Sequence, residues 1–212
     1  MTIYGYFDQF RGPIEGYFHV DFTVPGADQM AEIHQLNGLF LRLIQQAAQD
    51  GQAALGFPPE LLSPLAALDR AQLQCIAAVP RCVFSFCLDS DPDPAPSLPL
   101  NTWESARRSF AQAALHGVWT AARYSSAVAR ALYGLPAEPV RRLRTLGVAD
   151  LVRQAAHPGI ITCGFDTMPG VWHVLMASPS RPLPRNLILT MIAAGRRVAV
   201  SRPPLAVAAL VR

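Results

Sequence analysis

Cys163, His157, His173 and Asp166 are the residues of this chain whose types could build a nucleophilic site. A thiol attacks only as its thiolate, so it needs an imidazole within hydrogen-bond reach and a carboxylate to orient the ring. The local sequence argues against that use. Cys163 closes the apolar run Ile160-Ile161-Thr162-Cys163, where a thiol is ordinarily inert core. No HExxH, no glycine-rich phosphate loop and no paired-carboxylate motif accompanies it. Cys75, Cys82, Cys87 and Cys163 form no CxxC pair and have no histidine at ligand spacing, so they read as buried thiols and no metal or cofactor is expected. The chain is read as no enzyme.

Cationic chemistry is the other possibility. All 18 basic residues are Arg, with a net charge of +3. Arginine is the better bidentate partner for phosphate and carboxylate, and this balance permits a nucleic-acid partner without demanding one. Arg181, Arg185, Arg196 and Arg197 bracket a helix expected over 186–198 and are the candidates for contact with the backbone of double-stranded DNA. Arg196 and Arg197 also sit where a helix C-terminus favours cations regardless of any ligand. Arg141, Arg142 and Arg144 make a second basic cluster that an acidic protein surface would suit equally well.

The elements that carry these residues repeat. At an offset of 78, residues 53–80 and 131–158 coincide at 11 of 28 positions, among them Gly56/Gly134, Pro58/Pro136, Glu60/Glu138, Leu65/Leu143, Leu73/Leu151 and Pro80/Pro158. Composition alone does not align turn-forming Gly and Pro with helix ends in this way. The match extends outward with one-residue slips: 36–40 answers 115–119 at offset 79, and Asp89 answers Asp166 at offset 77. The repeat units are about 31–90 and 109–167, far longer than a solenoid period, which points to two copies of one small domain.

Within each copy the pattern is helical. Residues 31–49 place Ile33, Leu36, Phe40, Leu43, Ile44 and Ala47 on one stripe and Leu39 and Leu41 elsewhere, so this helix needs cover on more than one side. Leu115, Val118, Trp119 and Ala122 behave likewise in the second copy, whose first helix begins at Asn101 or Thr102. A domain of about 60 residues buries only about 60% of its unfolded surface and is marginal alone. The copies are therefore expected to pack first helix on first helix, through Leu36, Leu39, Phe40 and Leu43 against Leu115, Val118, Trp119 and Ala122, like a two-fold dimer made covalent. Gly56 reads as a helix C-cap before a new start at Pro58-Pro59-Glu60. Short helices are expected over 61–68 and 71–79, and over 139–146 and 149–156, followed by strands over 83–88 and 160–165. A further strand over 171–176 is expected to pair with 160–165.

Outside the copies, residues 1–30 alternate aromatic and polar positions (Phe18, Val20, Phe22, Val24) as a strand or hairpin extension that packs over an apolar surface. Residues 91–100 are a Pro-rich connector, 101–176 complete the second copy, and 177–212 hold the last helix and tail. Apolar runs are broken by Arg, Gln or Pro before they reach the length of a membrane span, and the N-terminus lacks a basic start followed by an apolar block. The expected location is cytoplasmic, with no membrane association.

The order of features resembles the FlhD family, the flagellar master transcriptional regulator subunit: Leu36-Asn37, Leu55-Gly56, Glu60, Leu65/Leu68 and Leu88-Asp89 in the first copy, and Tyr133-Gly134-Leu135, Leu143-Arg144-Thr145-Leu146, Asp150-Leu151-Val152-Arg153 and Gly164-Phe165-Asp166 in the second. The resemblance implies a mainly helical dimerising subunit that joins a zinc-containing partner, FlhC, on promoter DNA; a tandem copy would be a dimer in one chain. The expected fold is mainly α with small β elements, two tandem copies packed with pseudo-two-fold symmetry. The expected function is a non-enzymatic transcriptional regulator with a FlhC-like partner. The alternative is a structural or adaptor subunit that uses the same helical domain without reading DNA.

Overall fold

The computed structural model describes residues 25–52, 54–88, 101–165 and 169–177. The aromatic extension before residue 25, the Pro-rich connector, Asp89, Asp166 and everything from 178 onward, including the helix expected over 186–198, lie outside the described residues.

Two long helices carry the architecture. The first, α1 (Ala27–Gln49), begins one turn before its apolar stripe, because the Gln29 side chain reaches back to accept from the Gly26 N–H at 2.9 Å and closes the extra turn. The second, α4 (Thr102–Tyr124), starts where the Asn101 Oδ1 accepts from the Glu104 N–H at 2.7 Å, so Asn101 is its cap. It ends at Ser125, which leaves the helical region and caps the next helix, α5 (Ser126–Tyr133), by accepting from Val128 N–H. Short helices follow each long one. After α1 come a 3-10 turn (Pro59–Leu61), α2 (Leu62–Ala66) and α3 (Arg70–Ala77). After α5 come α6 (Ala137–Thr145) and α7 (Val148–Ala156). Asp69 and Gln72 make a reciprocal capping box at the start of α3, at 2.8 and 2.9 Å. At the start of α7 the Asp150 carboxylate reaches back to the Gly147 N–H.

The two strands, β1 (Phe84–Phe86) and β2 (Ile161–Cys163), pair with each other antiparallel, with Phe84 opposite Cys163, Ser85 opposite Thr162 and Phe86 opposite Ile161. The flanking bonds Gly164 N–H to Val83 O and Cys87 N–H to Ile160 O, both 2.9 Å, extend the ladder. A Cβ on Gly164 would lie 2.7 Å from Val83 O, so glycine is what permits this approach.

Asn37, fully buried in the middle of α1, fixes where β1 begins. Its Nδ2 donates to Ala77 O at 3.1 Å and Arg81 O at 2.9 Å, and its Oδ1 accepts from Val83 N–H at 3.0 Å. One side chain thus satisfies carbonyls at the end of α3 and the first amide before β1, groups that would otherwise be buried without partners. Over this anchor stand Phe40, Phe84 and Phe110, with ring centroids 5.1 to 5.6 Å apart in tilted and edge-on contacts.

Several expectations are corrected here. Residues 171–176 are not a strand: α8 (Pro169–Ala177) occupies them, and β2 takes β1 as its partner. Pro169 suits the first turn of a helix, and Val171, Trp172 and Leu175 are buried at helical spacing. The Trp172 indole N–H donates to Gly164 O at 2.8 Å and its ring meets Phe57 edge-on at 4.7 Å, so α8 closes over the 3-10 turn of the first half. Gly56 does adopt positive φ (+76°), but α1 ends at Gln49, so Gly56 serves a loop turn and caps no helix. Gly134, at +69°, does end α5. Of the four thiols Cys82 and Cys163 are buried, Cys87 is half-buried and Cys75 is exposed. Among the described residues no helix is long and apolar enough to cross a membrane.

Two stability measurements test this account. Asn37→Ala strands several buried polar groups at roughly 1–3 kcal/mol each, and we expect it to destabilise by about 3 kcal/mol in urea unfolding, with Asn37→Asp no better because a carboxylate cannot donate. Asp150 accepts from the Gly147 N–H and from Arg153, which holds its carboxyl below the usual range. Its contribution is present above the unfolded pKa and fades as pH falls through the depressed folded value. Asp150→Ala should therefore lower Tm at neutral pH, with the gap to wild type closing in acid.

Candidate interaction surface

Among the described residues, Cys163, His157 and His173 make no contact with one another. The Cys163 thiol is buried in β2 and donates to Gly164 O. His157 accepts from the Gly159 N–H through Nδ1, and His173 stands 4.0 Å from Glu60 on the 3-10 turn. Asp166 lies outside the described residues. Among the described residues no three His, Cys, Asp or Glu side chains are grouped as a metal would require.

The seam between the two halves is buried. Arg81 runs from the first half to the second, where its guanidinium lies against Gly134 and 5.8 Å from the Phe165 ring. Any side chain at 134 would collide with that guanidinium. Burial lowers the Arg81 pKa and raises those of the Cys82 thiol and the Tyr133 phenol, so both acids stay protonated. The Cys82 N–H donates to Leu132 O at 2.8 Å, and the Cys163 N–H to Leu55 O at 2.6 Å. Each half therefore reaches toward the turn preceding the other half's left-handed glycine.

Leu36, Phe40, Leu43, Leu115, Val118 and Ala122 are buried, and α1 crosses α4 where Gly117 admits Leu36 and Glu32. Leu39 and Trp119 are less buried than these. Leu39 is 37% exposed, because it turns away from the crossing. Trp119 is half-buried and stays in its own half: its indole N–H donates to Leu146 O at 3.0 Å and Arg123 stacks on its ring at 4.7 Å.

Leu39 instead joins an open groove of about 620 Å³ between α1, α4 and α7. Leu36 and Leu151 form its buried apolar base, Leu39, Ala113, Val148 and Val152 its exposed apolar walls, and Glu32, Gln35, Gln112 and His116 its polar rim. Val148 is 62% and Val152 46% exposed, large values for contiguous apolar side chains in the described chain. A concave apolar strip with a polar rim, bounded by helices, has the chemistry to take the apolar edge of another helix. The signal was present in the sequence. Val148, Leu151, Val152 and Ala155 mark an apolar face on α7, and α4 covers only its Leu151 and Ala155 part.

Arg181, Arg185, Arg196 and Arg197 lie outside the described residues. Of the second basic cluster, Arg141 pairs with Glu138, Arg142 donates to Leu88 O, and Arg144 is exposed. Comparison of the chain with protein-family models, with curated proteins and with solved structures finds no match.

The groove side chains should be dispensable for folding. Leu39→Ser and Val152→Ser are expected to shift unfolding free energy by no more than about 0.5 kcal/mol, the range of ordinary surface changes, whereas Phe40→Ala should cost about 3–5 kcal/mol. Parallel denaturation curves decide this.

Proposed function

We propose that the protein is a non-enzymatic regulatory subunit resembling FlhD, a pseudo-dimer within one chain that takes a protein partner along the α1–α4–α7 groove and acts with it on promoter DNA. The pairing of β1 with β2 is the observation that carries this reading. Ser85 lies opposite Thr162, its own counterpart at an offset of 77, with Phe84 opposite the counterpart of Phe86 and Phe86 opposite the counterpart of Phe84. Equivalent strands that pair about equivalent central residues are what a two-fold axis between repeats produces.

The helices support the same reading. The 3-10 turn with α2 corresponds to α6 and α3 to α7 at an offset of 78, and Gly56 and Gly134 share positive φ. In the long helices burial favours an offset of 74 and not 79. At that offset Ile33, Leu36, Asn37, Phe40, Leu41, Leu43 and Ile44 of α1 fall on Arg107, Phe110, Ala111, Ala114, Leu115, Gly117 and Val118 of α4, all buried. Gln45 and Trp119 then correspond, and each donates to the carbonyl of a counterpart leucine, Leu68 or Leu146. Among the described residues the first half has no counterpart of α5 between α1 and the 3-10 turn.

The adaptor reading draws on the α1–α4–α7 groove alone, whose apolar lining suits a protein surface and not a phosphate backbone. A gel shift on the DNA upstream of the protein's own gene, with its co-purified partner, separates the two. The regulator reading expects binding that weakens steeply with salt and is lost on Arg185→Glu and Arg196→Glu. Binding indifferent to both reversals, or none at all, favours the adaptor.

A further inference from the structure

A second groove, of about 380 Å³, lies between α1 and α3, with Arg42, Gln45, Arg70 and Gln74 around Gly38 and Leu73. Both arginines are exposed, and no ion pair or hydrogen bond to either is found among the described residues. That sets them apart from Arg107, Arg141 and Arg153, each paired with the acid three residues before it. Three residues before Arg42 stands Leu39, and three before Arg70 stands Ala67. Asp69, next to Arg70, has its Oδ1 occupied by the Gln72 N–H. Gln45 spends its amide on Leu65 O and Leu68 O, which fixes the loop that presents Arg70.

The fold does not require these charges. On the duplicated reading, which this comparison rests on, Arg42, Arg70, Leu73 and Gln74 correspond to His116, Val148, Leu151 and Val152 of the apolar groove. One architecture therefore accepts Val where the other half carries Arg. The groove with its two arginines is present whether or not the halves are copies.

We infer that the α1–α3 groove binds an acidic segment of a protein partner, through two carboxylate side chains, one for each guanidinium. Each guanidinium offers a planar fork that matches a carboxylate in two parallel hydrogen bonds, and Gln74 adds a neutral donor or acceptor at the rim. The concave shape favours this ligand over duplex DNA, because the groove admits individual side chains and a duplex backbone would ride over its rim. The two halves would then present unlike surfaces, one for an apolar helix edge and one for acidic side chains.

The test uses the full chain, 15N-labelled, titrated with a synthetic helical peptide bearing two Glu one turn apart and with its Gln-substituted twin. Arg42 and Arg70 side-chain N–H resonances should shift saturably with the Glu peptide alone. Arg42→Gln and Arg70→Gln should each weaken binding by about tenfold or more, the size of a lost charge-assisted pair, with Arg144→Gln unchanged. Equal binding of the Gln twin, shifts spread evenly over other arginines, or no saturable shift overturns the inference. So does a DNA duplex that shifts these two resonances when the Glu peptide does not. The variants replace exposed side chains, so Tm should hold; failure here leaves the β1–β2 evidence for a pseudo-dimer untouched.

Discussion

Phe84–Phe86 and Ile161–Cys163 are three residues each, too short for either to satisfy its backbone except on the other. Burial makes the pairing obligatory. The inward residues Phe84, Phe86, Ile161 and Cys163 are nearly inaccessible to water, so an unpaired amide or carbonyl beside them would cost the full desolvation of that group. Both long helices are arranged to serve this ladder. Asn37 of α1 delivers Val83 to its start, and Arg107 of α4 donates to His157 O and Pro158 O just before β2. A buried amide on one helix and a buried guanidinium on the other thus do the same work by different chemistry.

That difference explains what the sequence made legible and what it did not. Gly and Pro at fixed offsets mark chain reversals, and those reversals are backbone events that a substitution cannot easily imitate; the short helices over 137–145 and 148–156 therefore fall close to their expected places. The long helices were harder to register. On the duplicated reading their buried faces share positions but few residue types, with Phe40 answering Ala114 and Ile33 answering Arg107, so residue identity aligns Leu36-Asn37-Gly38 with Leu115-His116-Gly117 instead. At the crossing Leu36 lies beside Gly117 while Phe40 meets Phe110, and packing fitted side chain by side chain in this way leaves no trace in a residue-by-residue comparison.

The misread strand over 171–176 has a related cause. Val171-Trp172-His173-Val174-Leu175-Met176 is apolar throughout, and a short apolar run does not declare its period. Its length and the proline before it favour a helix, and tertiary context decides: β2 already has a partner, while the surface over Phe57 and Phe165 needs a large flat side chain, which Trp172 supplies. Leu39 is the opposite case. Its residue type predicts burial, but its angular position on α1 lies off the crossing, and position prevails because α4 and α3 leave that side uncovered.

Exposed apolar side chains are common singly; what distinguishes Leu39, Val148 and Val152 is that two separate helices, α1 and α7, bring them to one groove. Solubility alone would favour a polar residue at each, and the fold tolerates polar residues there, as Arg70 and Gln74 on α3 illustrate at similar places on a similar helix. A protein that needed only to hold its two halves together could have made both grooves alike and polar. Neither the apolar lining of one groove nor the arginines of the other are used by the core, which rests on the ladder, the Phe40–Phe84–Phe110 cluster and Asn37.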